Sequence, residues 1–228
     1  MKLDRIAFYG RTLDEYQRIY DLTDEALKTK RILDVAAGSA SFAAEVTARG
    51  GKVVAVDPYY AHDAETLTRE CRADIDRIVE AFAVSAHKFD FSFYGDLESR
   101  VAYAHRALAT FAADFDAGKE EGRYVAASLP TLPFADASFD LALVGHFLST
   151  YGPRLGAPFV EAALRECLRV ADEVLVYPLL TLAGTPYGPL PAILDRLAAD
   201  GSGHRFEPTA FAFQRGADSR LHLSKGAL

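Results

Sequence analysis

Arg31-Ile-Leu-Asp-Val-Ala-Ala-Gly-Ser-Ala-Ser-Phe42, followed by Lys52-Val-Val-Ala-Val-Asp-Pro58, decides the fold of this chain. Ile32, Leu33 and Val35 form a short apolar run, Gly38 and its small neighbours allow a tight turn, and Phe42, Ala43 and Val46 give the next segment a helical apolar face. A second apolar run, Val53 to Val56, ends on Asp57. The order is strand, turn, helix, parallel strand. In such a unit a carboxylate at the carboxyl end of the second strand accepts the hydroxyl hydrogens of a ribose. The turn and first helical turn offer unpaired N–H groups to an anionic end of the ligand. The unit therefore suits a nucleoside-bearing cofactor.

The dinucleotide pattern G-x-G-x-x-G places glycine wherever backbone must approach a pyrophosphate closely. Here Ala36-Ala37-Gly38-Ser39-Ala40-Ser41 holds one glycine, which argues against NAD or FAD and against an oxidoreductase that uses them. The stretch resembles instead the first motif of class I S-adenosylmethionine-dependent methyltransferases, commonly D-x-G-x-G-x-G. Asp34, Gly38 and Ser39 match it; Ala36 and Ala40 depart from it.

A second stretch, from Tyr124 to His146, resembles the same family's D-A-x-x-L-P-F-x-D-x-x-F-D pattern. Leu132-Pro133-Phe134, Asp136 and Phe139-Asp140 fit it in order and spacing. Ser128 stands where the family usually has an adenine-binding acid, so a hydroxyl replaces a carboxylate, while Leu129 still presents its backbone N–H. The resemblance covers roughly residues 31–60 and 124–180. It implies a Rossmann-like α/β sheet of seven strands, order 3-2-1-4-5-7-6 with the last reversed, and S-adenosyl-L-methionine as cofactor. The implied cofactor site comprises Asp34, Ala36, Gly38, Ser39, Ala40, Ser41, Asp57, Pro58, Ser128, Leu129, Gly145 and His146.

Around these motifs the chain reads as one domain, 1–228, with a helical segment in 1–30 and a helical insertion at 61–120. A helix is expected over 12–28, begun by Thr12 with Glu15 completing a capping box. Residues 61–120 are too long for an ordinary connection and carry two amphipathic patterns. One aligns Leu67, Cys71, Ile75, Ile78 and Phe82; the other aligns Val101, Ala104, Leu108, Phe111 and Phe115. Strands are expected near 124–128, 139–145 and 173–177, and helices near 158–170 and 190–199. Thr209–Gln214 and Arg220–Ser224 alternate around Gly216 and predict a closing antiparallel hairpin.

The composition narrows the partners. Lys plus Arg number 25 against 32 Asp plus Glu, for a formal charge of -7, and no basic block follows the spacing of a phosphate backbone. A small molecule is expected as substrate rather than nucleic acid. The amino terminus, Met1 to Gly10, is broken by charge and lacks the apolar core of a signal peptide, and Val174–Leu180 is too short to span a bilayer. A cytoplasmic location without membrane insertion is expected. Cys71 and Cys167 have no metal-ligand spacing and fall on helical apolar faces, as buried thiols do.

Three groups of residues bear on the acceptor. Phe89, Phe91 and Phe93 recur at period two, which on an extended segment turns them to one side; they either wall a substrate pocket or pack the insertion onto the body. Tyr16 and Tyr20 pose the same choice. His146, directly after the fourth strand, is the best-placed general base for a hydroxyl acceptor, unless it only borders the cofactor, and Tyr151 is a candidate for orienting substrate. The reading is methyl transfer from S-adenosylmethionine to a small molecule. The rival is a cofactor-binding protein of the same fold without catalysis.

Overall fold

The computed structural model describes residues 5–226; Met1 to Asp4, part of the amino-terminal stretch read above, lie outside them. The amino-terminal helix is broken in two, α1 (Leu13–Tyr20) and α2 (Asp24–Thr29). Asp21 adopts a left-handed conformation (φ 52°) and returns its N–H to Gln17, ending α1, and the Thr23 side chain accepts the Ala26 N–H to start α2. The Glu15 carboxylate accepts the Thr12 N–H at 2.8 Å, as the sequence pattern predicts.

The first parallel unit follows as β1 (Arg31–Val35), α3 (Phe42–Ala48) and β2 (Lys52–Val56). The insertion contributes α4 (Ala64–Ser85) and α5 (Leu97–Glu120), each begun by an aspartate, Asp63 and Asp96, whose side chain accepts a backbone N–H. The sheet resumes with β3 (Tyr124–Val125) and β4 (Phe139–Gly145). Next come the single turn α6 (Gly152–Leu155), α7 (Ala157–Val170), β5 (Ala171–Tyr177), α8 (Leu190–Ala199), β6 (Ser202–Pro208) and β7 (Ser219–Lys225). The seven strands run β3-β2-β1-β4-β5-β7-β6, parallel except for β7, which is antiparallel to both β5 and β6.

Alternate side chains of the central strands feed two cores. Ile32, Leu141, Leu143 and Leu175 face α1, α3 and the inserted helices, whereas Leu33, Val35, Ala142, Val144 and Val174 face α7 and α8. Strands covered on both faces read as continuous apolar runs, as β1 and β4 do. Each fully buried Leu, Ile or Phe contributes about 1.5–3 kcal/mol. The face of α4 is buried as its spacing predicts. On α5 the stripe is Arg100, Ala104, Ala107, Leu108, Phe111 and Phe115, with Val101 at its margin.

Two expectations are corrected. Residues 209–214 form no sheet strand; β7 pairs instead with β6, whose sequence Ser-Gly-His-Arg-Phe-Glu-Pro is polar and mostly exposed because it forms the sheet edge. Phe211 and Phe213 alternate for another reason: both rings turn inward against the insertion, Phe213 stacking on Phe89 at 5.0 Å. The segment carrying Phe89, Phe91 and Phe93 is not extended either. After a bridge from Phe89 to Gln214 it turns, the Phe91 carbonyl accepting the N–H of Tyr94 and of Gly95, so the three rings do not share a side.

Candidate active site

Two adjoining cavities lie at the carboxyl ends of β1, β2 and β4, the edge where ligands bind in open α/β sheets. The first is lined by Val56, Asp57, Pro58, Tyr59, Ala127, Ser128 and Leu129, with Phe8 and Phe159. The second runs under the insertion and is lined by Arg11, Tyr16, Tyr20, Ile78, Phe82, Phe89, Arg100, Gly145, His146, Thr150, Tyr151 and Phe213, among others. Ile6, Ala7, Ala36, Asp57 and Phe147 line both.

Asp57 sits at this junction because β2 ends there and its side chain starts the short turn at Pro58. Oδ1 accepts the Tyr59 N–H at 2.9 Å and Oδ2 the Gly38 N–H at 3.1 Å. Each oxygen keeps a lone pair for a ligand hydroxyl. Burial pushes the Asp57 carboxyl up to about 6, against the pull of those two N–H groups, so it is mostly ionised at neutral pH.

The end of β1 is built differently. Asp34 lines neither cavity; the Tyr16 hydroxyl reaches its two oxygens at 3.1 and 2.9 Å. Burial drives this carboxyl up to about 8 although the Tyr16 bond favours its charged form. Ala36 then takes a left-handed conformation (φ 54°), which explains why the resembled motif carries glycine there.

A strap of residues 6–11 covers the turn. The Ser41 N–H donates to the Arg11 carbonyl at 3.0 Å, Phe8 N–H to Asp74 at 2.8 Å, and Ala7 N–H to the Tyr151 hydroxyl at 3.1 Å. The contact needs bare backbone on both sides. A Cβ on Gly38 (φ 58°) would stand 2.3 Å from the Tyr9 carbonyl oxygen, and one on Gly10 would stand 2.1 Å from the Ala40 nitrogen. Gly38, Ser39, Ala40 and Ser41 consequently line neither cavity, and the Ser39 hydroxyl instead contacts the buried Cys71 thiol at 3.0 Å. Burial pushes the thiols of Cys71 and Cys167 up to about 12, as inert core groups.

At the end of β4, Gly145 leaves room for the Tyr20 hydroxyl, which would stand 3.0 Å from a Cβ there. His146 is left-handed (φ 52°), donates its N–H to the Tyr177 carbonyl at 2.6 Å and packs its ring edge-on to Tyr177. Its pKa lies well below the ordinary imidazole value because of burial, then of Arg11 and Arg100. The ring is therefore neutral at physiological pH.

Of the acceptor residues named from sequence, Tyr16, Tyr20, Phe89 and Tyr151 line the second cavity, but the hydroxyls of Tyr16 and Tyr151 are already engaged. Phe91 packs on Phe213, and Phe93 on Tyr94, Tyr103 and Phe211, outside the cavity wall. Arg11, Thr150 and Phe213 were not singled out by sequence. Nor was Arg100, although a charged residue on the apolar stripe of α5 was a signal for it.

Several buried polar atoms on the second cavity make no hydrogen bond among the described residues: Arg11 Nε, the three guanidinium nitrogens of Arg100, Tyr20 Oη, His146 Nδ1 and Thr150 Oγ1. Buried polar groups are normally paired, and here the cavity itself is where a partner fits. The residues suit S-adenosylmethionine. Ser128 and Leu129 border an apolar slot, Asp57 can take the ribose, and unpaired donors lie beyond it.

Among the described residues no helix is long and apolar enough to cross a membrane, and no group of histidine, cysteine and acidic side chains could hold a metal ion. Comparison with known proteins gives a match to the methyltransferase domain family model over residues 99–173. An uncharacterized protein of Methanocaldococcus jannaschii, MJ0045, is 29% identical over 226 residues, covering 99% of each chain. Among solved structures, the PH0226 protein of Pyrococcus horikoshii OT3 is 14% identical with a TM-score of 0.43, covering 86% of this chain and 82% of that one. Magnesium protoporphyrin IX methyltransferase of Synechocystis PCC 6803 with bound SAH is 12% identical with a TM-score of 0.46, covering 89% and 77%. The family-model match covers a third of the chain, and the strand order β3-β2-β1-β4-β5-β7-β6 is the one implied by the resemblance to class I S-adenosylmethionine-dependent methyltransferases, to which the chain is similar.

Proposed function

We propose that the chain transfers the methyl group of S-adenosylmethionine to a small molecule held in the cavity beneath the inserted helices. The observation that carries this reading is the junction: Asp57 and Ala36 line both cavities, so one ligand bound across them would run from Ser128 to the mouth of the second cavity. When bound, the cofactor supplies a methyl group on a positively charged sulfur. Asp57 would hold the ribose hydroxyls, and Ser128 with Leu129 would border the adenine. The strap of residues 6–11 would help exclude water.

Alignment is the main task left to the protein. Displacement at a sulfonium needs its reactants in line and little else when the nucleophile is strong. For a hydroxyl acceptor, His146 is the base the site offers: as the acceptor oxygen bonds to the methyl carbon and the carbon–sulfur bond breaks, the hydroxyl proton passes to the imidazole. A pKa held below the ordinary value keeps the ring unprotonated and ready to accept.

Titration calorimetry with S-adenosylhomocysteine tests the reading. Asp57→Ala should weaken binding about ten- to a hundredfold, through lost charge-assisted hydrogen bonds of about 1.5–3 kcal/mol. Wild-type affinity should also decline as pH falls through about 6, where Asp57 protonates. Equal binding by wild type and variant would remove Asp57 from the site.

A further inference from the structure

Arg100 is the side chain that the fold and the methyl-transfer reading leave unexplained. It enters from the first turn of α5, is 1% exposed, and lines the second cavity. Rings surround it: its guanidinium carbon lies 5.0 Å from the Tyr9 centroid, 4.8 Å from Tyr94 and 5.5 Å from Phe213. None of its three nitrogens has a hydrogen-bond partner of full geometry among the described residues, and the Tyr9 side chain is only a weak polar neighbour. A guanidinium does not deprotonate in proteins, so this charge stays buried, and contacts with ring faces fall short of the cost of desolvating it.

The neighbouring acids are committed elsewhere. Arg11 lies 3.6 Å from the fully buried Glu15. The Glu15 carboxylate is further engaged by the Tyr94 hydroxyl at 2.6 Å and the Thr12 N–H at 2.8 Å. His146, the other titratable base on the wall, is neutral. Arg11 and Arg100 thus face two acids that are already engaged, Glu15 by Tyr94 and Thr12 and Asp57 by two backbone N–H groups, and neither is a hydrogen-bonded partner of Arg100.

Position separates the roles of the two arginines. The Arg11 carbonyl accepts the Ser41 N–H, so Arg11 belongs to the strap held on the β1 turn. Arg100 belongs to the insertion, with Phe82, Phe89 and Phe213 nearby on the same wall. We propose that Arg100 is the specificity residue for the methyl acceptor, which is a small carboxylic acid whose carboxylate seats on this guanidinium and whose apolar or aromatic body lies against those three rings. A planar fork of N–H donors matches a carboxylate in two parallel hydrogen bonds. The proposal rests on the methyltransferase reading for the word acceptor, but the binding it describes can be measured separately.

The test is calorimetry on the full chain, with and without S-adenosylhomocysteine, using matched probes: benzoate with benzamide, 3-phenylpropanoate with 3-phenylpropanamide, octanoate with octanamide. At least one acid should bind wild type about tenfold or more tightly than its amide, the scale of one lost charge-assisted pair. Arg100→Met should abolish that preference, and Arg100→Lys should keep part of it, while S-adenosylhomocysteine affinity stays within about threefold for both. The proposal is overturned if no acid outbinds its amide on wild type, a comparison that needs no variant, or if Arg100→Met retains the preference. It is equally overturned if Arg100→Met weakens S-adenosylhomocysteine by more than about tenfold, which would assign Arg100 to the cofactor's own carboxylate. Failure of wild type to bind S-adenosylhomocysteine, with the acid preference intact, would instead reject the methyltransferase reading and leave the anion site standing.

Discussion

The two cavities meet at Asp57 but are finished differently. On the side of β2 and β3 the charged group is already anchored: Asp57 takes two backbone N–H groups before any ligand arrives. On the side of β4 and the insertion, Arg100, Tyr20, His146 and Thr150 each present a buried polar atom that no described residue satisfies. A ligand part common to every relative of an enzyme can be met by fixed backbone geometry. A part that differs between them must be met by side chains whose pairing is completed on binding. On the proposed reading, the first cavity takes the adenosine part of the cofactor, and the second takes its sulfur end together with the acceptor.

The largest effect expected on the acceptor side is kinetic. With a hydroxyl acceptor, His146→Gln should lower turnover about 10²–10⁴-fold, the usual worth of a general base, with little change in S-adenosylhomocysteine affinity. Because burial and the two arginines hold this imidazole low, the acid limb of the wild-type rate should fall below the range of an ordinary histidine. Steady-state rates across pH check both points; near-normal turnover by the variant would place the base elsewhere.

Next comes packing. Phe89 is buried between Phe82, at 4.6 Å, and Phe213, and it also faces the cavity, so the choice between core and pocket dissolves for this ring. Phe89→Ala should cost about 3–5 kcal/mol in denaturant unfolding and also impair acceptor binding. Phe93→Ala, on a half-buried ring outside the cavity, should cost less and leave kinetics unchanged.

What the sequence could and could not convey follows from the range of each interaction. The β1 turn, the acid after β2, the amphipathic faces of the inserted helices and the β4 run are local patterns, and the seven-strand order came from resemblance to a family. The order is observed. The strand pairing of β6 was missed because an exposed edge strand needs no apolar alternation, while Phe211 and Phe213 alternate to fill a tertiary gap. The Gly38 turn was taken for ligand-facing backbone; the partner that requires its bareness here is Tyr9, distant in sequence. Arg100 is silent in sequence except as a charge on an apolar stripe, since its neighbours Tyr9, Tyr94 and Phe213 come from three separate segments.

A pH-dependent effect probes the base of the cofactor side. Asp34 has its carboxyl raised to about 8 from an ordinary carboxylate value, so the stability it contributes is complete below the unfolded value near 4 and is lost as pH rises through 8. Asp34→Asn cannot ionise, so its melting temperature at pH 9 should exceed that of wild type, by about 2–4 °C for each kcal/mol recovered, with the advantage vanishing near pH 4. Thermal melts at the two pH values decide it. The smallest effect belongs to Ala36. Glycine relieves a left-handed alanine by about 1 kcal/mol but adds unfolded-chain entropy of similar size, so Ala36→Gly should change stability by less than about 1 kcal/mol in chemical denaturation.

The central claim is that one ligand spans both cavities with its ribose on Asp57. A crystal structure of the complex with S-adenosylhomocysteine tests it most directly. The account predicts the adenine between Tyr59 and the Ser128–Leu129 segment, both ribose hydroxyls on the Asp57 carboxylate, and the sulfur directed past Ala36 toward the cavity that holds His146 and Arg100. A ribose bound away from Asp57, or a sulfur facing away from that cavity, would contradict it.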